Sequence, residues 1–175
     1  GWALIHVSES KSEVDESLVL LQKLGIAIDK NDPTLLKDIG GYTGLKERYS
    51  TLMKSTDDTV SGLAASVLAI TGDLNYAPQI ASLLEKKDRP PSAKKYSLPV
   101  TVRGRAAVAL GVLGSKEYTQ RIAKLLQSKN EYDWSGAATA LGFLGAKEYA
   151  NDVAALLAKK ELGFLDNDSL IFELV

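Results

Sequence analysis

VRGRAAVALGVLGSKEYTQRIAKLLQSKN, residues 102–130, returns 31 residues later as DWSGAATALGFLGAKEYANDVAALLAKKE, residues 133–161. Self-similarity at a fixed period means that copies of one supersecondary unit are stacked along the chain. A stack of this kind buries its core between neighbours and displays extended surfaces, so it favours binding over catalysis.

The motif GSKEY (114–118) serves as a ruler. It meets GAKEY (145–149) at an offset of 31 and GDLNY (72–76) at an offset of 42. The apolar positions move with it: Ala65, Ala107 and Ala138; Leu68, Leu110 and Leu141; Ala81, Ala123 and Ala154; and the pairs Leu83-Leu84, Leu125-Leu126 and Leu156-Leu157. A further step back by 31 reaches a degenerate copy carrying Gly41, Leu45, Leu52, Met53 and Asp57.

Within a unit the periodicity predicts two helices. The first carries Ala106, Ala107, Leu110 and Leu113 at helical spacing and stops near a glycine. The second is expected from about Lys116 to Ser128, with Ile122, Leu125 and Leu126 as its buried stripe. Small residues at Ala107, Gly111, Ala138 and Gly142 are expected to bring helices close together.

Outside the repeats, Ser12 to Leu24 reads as a lead-in helix, followed by the apolar piece Ile26–Ile28. Asn31, Asp32 and Pro33 form a helix-start signal. The final DNDSLIFELV is expected to begin a helix capped by Asp166 or Asp168. The chain therefore divides into an N-terminal capping segment (1–31), a degenerate unit (32–57), and units at 58–88, 100–130 and 131–161. Residues 89–99 form an insertion loop, and 162–175 are either a capping helix or the start of a further repeat.

Composition narrows the function. A hydrophobic fraction of 45% and a charged fraction of 25% suit a globular protein. The net charge of −1 gives no global electrostatic case for nucleic acid or an anionic membrane. No apolar run approaches the roughly 20 residues of a membrane helix. The opening GWALIHV is too short for a signal peptide, and Gly1 in place of Met suggests a trimmed chain, which leaves the compartment open. With no cysteine and only His6, disulfides, thiolate chemistry and ordinary zinc sites are excluded.

Among repeat families, the tetratricopeptide spacing fails because Leu141-Gly142 lies too far beyond Trp134, and the ankyrin start is absent. Val102-Arg103, Ala106-Ala107, Leu110-Gly111, Leu113-Gly114, Glu117 and Leu125-Leu126 do follow a known pattern. They resemble the short HEAT-like repeat named after phycobiliprotein lyases, over about residues 58–161 and more weakly over 32–57. The resemblance implies an all-α, right-handed αα superhelix of about four helix pairs plus capping helices. In that family the arginine after valine commonly ties neighbouring repeats together. Here Ser61 and Trp134 stand at the places equivalent to Arg103, so such a ladder is incomplete.

Each visible polar feature has two readings. The ladder Tyr76, Tyr118 and Tyr149 either presents rings to a ligand or packs at the start of each second helix, and its identical placement favours packing. Trp134 and Trp2 are either interface anchors or partly packed rings. Asp57-Asp58 and Asp166-Asp168 are explained as caps, and no calcium loop or phosphate loop is present. His6 has no acid or nucleophile beside it.

The break in the ruler is the sharper clue. RPPSAKKYSLP (89–99) interrupts the period, and insertions in solenoids map to loops on one face. From Lys86 to Arg105 there are seven basic residues and one acidic, a charge of +6, so the remaining chain sums to −7. That stretch is either a docking loop for an acidic partner or a proline-stiffened connector.

The expected function is a non-catalytic scaffold that binds another protein with an acidic surface. No cofactor or metal is expected, and nucleic acid is disfavoured. The expected partner-binding residues are Arg89, Lys94, Lys95, Tyr96, Arg103 and Arg105, with Arg121 and Lys124 on the neighbouring helix. The rival reading is a chromophore-lyase-like subunit or a module of a larger complex, which the resemblance alone suggests.

Overall fold

In the computed structural model, which describes Ser17, Val19 and residues 42–87 and 101–161, every regular element is helical. The described helices are α1 (Tyr42–Leu52), α2 (Asp58–Ile70), α3 (Ala77–Ser82), α4 (Val102–Val112), α5 (Thr119–Lys124), α6 (Glu131–Leu144) and α7 (Ala150–Glu161). No strand occurs among the described residues. Most of the capping segment 1–31, the insertion 89–99 and the C-terminal segment 162–175 lie outside them, as do Trp2, His6, Asp166 and Asp168. Ser17 and Val19 are helical, and the Ser17 hydroxyl donates to the Tyr49 phenol at 3.3 Å, tying the lead-in to α1.

Local chemistry explains where the long helices begin and end. A capping side chain starts α2, α4 and α6 and satisfies amides that the first turn leaves open. Asp57 accepts from the Thr59 and Val60 amides, Thr101 from the Gly104 amide, and Asn130 from the Tyr132 amide. Just past the ends, Gly72, Gly114 and Gly145 take left-handed φ values of 69°, 70° and 64°. After α4 and α6 this reversal closes paired bonds: the Gly114 and Ser115 amides donate to Gly111 and Leu110, and the Gly145 and Ala146 amides to Gly142 and Leu141. The glycine of the GSKEY ruler is thus the turn itself.

The second helices are tighter than periodicity suggests. The predicted run Lys116–Ser128 is a 3-10 turn (Lys116–Tyr118), then α5, then another 3-10 turn (Leu125–Gln127). The same sequence of elements flanks α3, with 3-10 turns at Leu74–Tyr76 and Leu83–Glu85. A fifth 3-10 turn, Lys147–Tyr149, leads into α7.

The long helices α2, α4 and α6 lie side by side with α4 in the middle. A second layer follows, in which α3 packs on α4 and α5 on α6. Alanine sets the spacing: Ala64, Ala65, Ala106, Ala107, Ala137 and Ala140 are fully buried. Leu63, Leu68, Ile80, Leu110 and Ile122 fill what remains, each contributing about 1.5–3 kcal/mol by leaving water. At the α4–α6 crossing the backbones touch. A Cβ on Gly136 would lie 2.6 Å from the Gly104 Cα, and one on Gly111 would lie 2.8 Å from the Ala140 Cα. Gly142 differs from the expectation for it. It is exposed, because no described helix packs on that flank of α6.

Candidate interaction surface

Charged side chains close the joints at the starts of the helices, one between two units and one within a unit, and the two differ in sign. Asp133 in the first turn of α6 is fully buried, although the equivalent positions in the preceding units are Val60 and Val102. Its carboxylate takes hydrogen bonds from the Thr101 hydroxyl, from Arg103 Nη2, and from the Ser128 hydroxyl at 2.7 Å. One buried carboxylate therefore joins the start of α4, the end of the α5 segment and the start of α6. Thr101 serves twice, accepting from its own helix and donating across the joint.

In the preceding unit the charge at the equivalent place is a half-buried cation. Lys86, equivalent by the ruler to Ser128, donates to Asp58 Oδ1 at 2.9 Å and to the Ser61 hydroxyl at 3.1 Å. This corrects the reading of Asp57-Asp58 as two caps: Asp57 caps α2, whereas Asp58 is the partner of Lys86.

A second pattern recurs exactly one unit apart in kind, though through different side chains. Gln79 Nε2 on α3 donates to the Ser50 carbonyl at 3.0 Å, and Arg121 Nη2 on α5 donates to the Ala81 carbonyl at 2.9 Å. Donors and acceptors both correspond under the ruler. The next position in line is Asp152, a carboxyl where the earlier units carry an amide or a guanidinium, and among the described residues the second-layer bond is not repeated there.

Of the eight expected contact residues, Arg89, Lys94, Lys95 and Tyr96 fall in the insertion, outside the described residues. The other four lie in two pairs, Arg103 and Arg105 on α4 and Arg121 and Lys124 on α5. Arg103 is turned toward α6 by Asp133. Arg105, two residues on, lies against α2, its Cδ 2.8 Å from where a Gly62 Cβ would be. Burial there lowers its pKa from the ordinary arginine value. Arg121 spans the short-helix layer, bonded to Ala81 and to Glu85 at 3.1 Å, with its guanidinium 5.6 Å above the Tyr118 ring. Lys124 is exposed at the end of α5.

Lys86, Asp58, Asp133 and Gln79 escaped sequence reasoning as functional groups of the joints. Asp133 left one trace, a charge in register with two valines. The tyrosine ladder is half-buried against the core and Trp134 is buried, as the packing readings of both expect. Outside the joints, Lys46 on α1 binds Asp73 at 2.7 Å. That hydrogen bond raises the Lys46 pKa and, together with the Asn75 amide, holds Asp73 below the ordinary carboxylate range. Among the described residues there is no group of three or more acidic or histidine side chains placed to hold a metal, and no helix is long and apolar enough to cross a membrane.

No protein-family model and no curated protein matches the chain.

Proposed function

We propose that this chain is a non-catalytic helical-repeat scaffold, a right-handed stack of HEAT-like helix pairs, that binds the acidic surface of another protein. The contact runs along the short-helix layer and is edged by the insertion at 89–99. Supporting the repeat reading is the recurrence of one inter-unit bond, Gln79 to Ser50 and Arg121 to Ala81, at positions related by the sequence period.

The observation that carries the acidic partner is the imbalance of charge around the insertion. Seven basic residues and one acidic lie between Lys86 and Arg105. Among the described residues, internal carboxylates take up only Lys86 and Arg103, while Lys87 is exposed and no ion pair takes up Arg105. Lys124 and Lys129 extend the exposed positive groups along the second layer. Such a field steers and orients an oppositely charged surface and weakens as salt rises.

The test replaces Arg89, Lys94 and Lys95 together by serine and compares proteins captured from a lysate over a range of salt. Loss of salt-sensitive partners is the expected outcome. Return of the same partners with unchanged salt sensitivity makes the insertion a connector and removes the docking reading.

A further inference from the structure

We infer that Arg105 is a pre-positioned carboxylate anchor, a guanidinium set in the slot between α2 and α4 to take a glutamate or aspartate side chain of an acidic peptide. The inference rests on the docking reading above and names the residue that gives it geometric specificity.

The first observation is the accounting of guanidiniums. Four arginines lie among the described residues. Arg103 is held by Asp133, Arg121 by Ala81 and Glu85, and Arg48 has a partner of its own. Among the described residues no hydrogen bond or ion pair falls to Arg105. The carboxylates that adjoin it along the helices are already engaged: Asp58, one turn before Gly62, holds Lys86, and Asp133 holds Arg103.

The second observation is how the side chain is held. Where α6 offers Gly136 to Gly104, the equivalent contact between α4 and α2 places Arg105 over Gly62. The absent Cβ on Gly62 makes room for the arginine stem, whose Cβ and Cδ both run alongside it. Packing of the stem removes rotamer freedom that a surface arginine would lose on binding.

The third observation is solvation. Arg105 is only half-buried, so its fork can be reached from solvent. Yet desolvation already disfavours its charged form, unlike a head that has snorkelled fully into water. A guanidinium with open donors and a reduced water shell is suited to bidentate capture of a carboxylate. The bland alternative is an arginine that only fills the groove over Gly62, and methionine would do that equally well.

The test uses the full chain and a fluorescent octaglutamate peptide with both ends blocked, with octaglutamine as control, read by anisotropy. Arg105→Met keeps the packed stem and removes the fork; Arg105→Lys keeps the charge and removes the bidentate geometry. Melting temperatures of both variants establish that they fold. Expected is a roughly 10-fold or greater loss of affinity in Arg105→Met, with Arg105→Lys recovering only part of it. Arg89→Ser/Lys94→Ser/Lys95→Ser should instead flatten the salt dependence while keeping the difference between arginine and methionine at 105. If Arg105→Met and Arg105→Lys bind like the parent while the triple variant loses binding, the anchor is overturned and the docking reading stands. If the parent does not distinguish octaglutamate from octaglutamine, both fall.

Discussion

Asp133 occupies a seat that two sister units fill with valine, and two of its three partners, Arg103 and Ser128, differ from Ser61 and Lys86 at the equivalent places. Removing only the carboxylate leaves Arg103 facing a buried gap. Asp133→Ala should therefore cost about 3–5 kcal/mol, read by denaturant unfolding. Restoring the apolar pattern with Asp133→Val and Arg103→Met together should recover much of that loss, because a buried ion pair is often no better than packed hydrocarbon. Ser115 makes the opposite case. Its hydroxyl is buried with no hydrogen-bond partner, at the position where the next unit carries Ala146. Ser115→Ala should stabilise by up to about 1 kcal/mol, and a lower melting temperature would refute that. The sequence displays the mismatch at Asp133 plainly. It does not display the answer to it, since Thr101, Arg103 and Ser128 are drawn together only by the stacking of two units.

At the scale of the element, the helices were readable and their edges less so. Alanine and leucine at helical spacing and a glycine at each end mark α2, α4 and α6, because burial and a left-handed turn each demand particular residue types. The 3-10 turns around α3 and α5 were hidden, since tightening of a helix end changes hydrogen bonding without requiring a distinctive residue. The second-layer bond was hidden too: glutamine and arginine look unrelated until both are seen to reach a carbonyl. It ends at Asp152, so Asp152→Arg should supply the missing donor to the Ala123 carbonyl. Slower amide exchange in α7 and a gain of about 1 kcal/mol are expected. The Lys46–Asp73 bridge between α1 and the turn before α3 makes a pH-dependent contribution. Asp73 is lowered, so its share is present above the ordinary carboxylate range and fades as pH falls through its depressed value. Lys46 is raised, so its share holds below the ordinary lysine range and fades as pH rises through the elevated one. Asp73→Asn should therefore lower the melting temperature at neutral pH and match the parent in strong acid.

Across the whole molecule, burial is highest in α2, α4 and α6 and lower in α1 and α7, at the two ends of the described helices. Most of α2 is buried, whereas α7 leaves Ala154, Ala155 and Ala158 exposed and Leu156 and Leu157 only half covered. In a stack held by nearest-neighbour contacts, the least covered element opens first. Native-state hydrogen exchange should rank α7 as the weakest of the seven helices and α2 and α4 as the strongest; equal protection throughout would show a single cooperative unit. The candidate surface was legible as charge and not as geometry. Counting residues exposes the excess between Lys86 and Arg105, but only packing separates the cations spent on Asp58 and Asp133 from Arg105, which is not. The two joints also carry a direction. Lys86 finds Asp58 within its own unit, while Arg103 must wait for Asp133 from the next. On the ribosome, a nascent chain that has emerged only as far as Asn130 owns a complete lock behind it and a key without a lock ahead. Translation itself then sets the order of assembly, and the 100–130 unit matures only when its successor arrives.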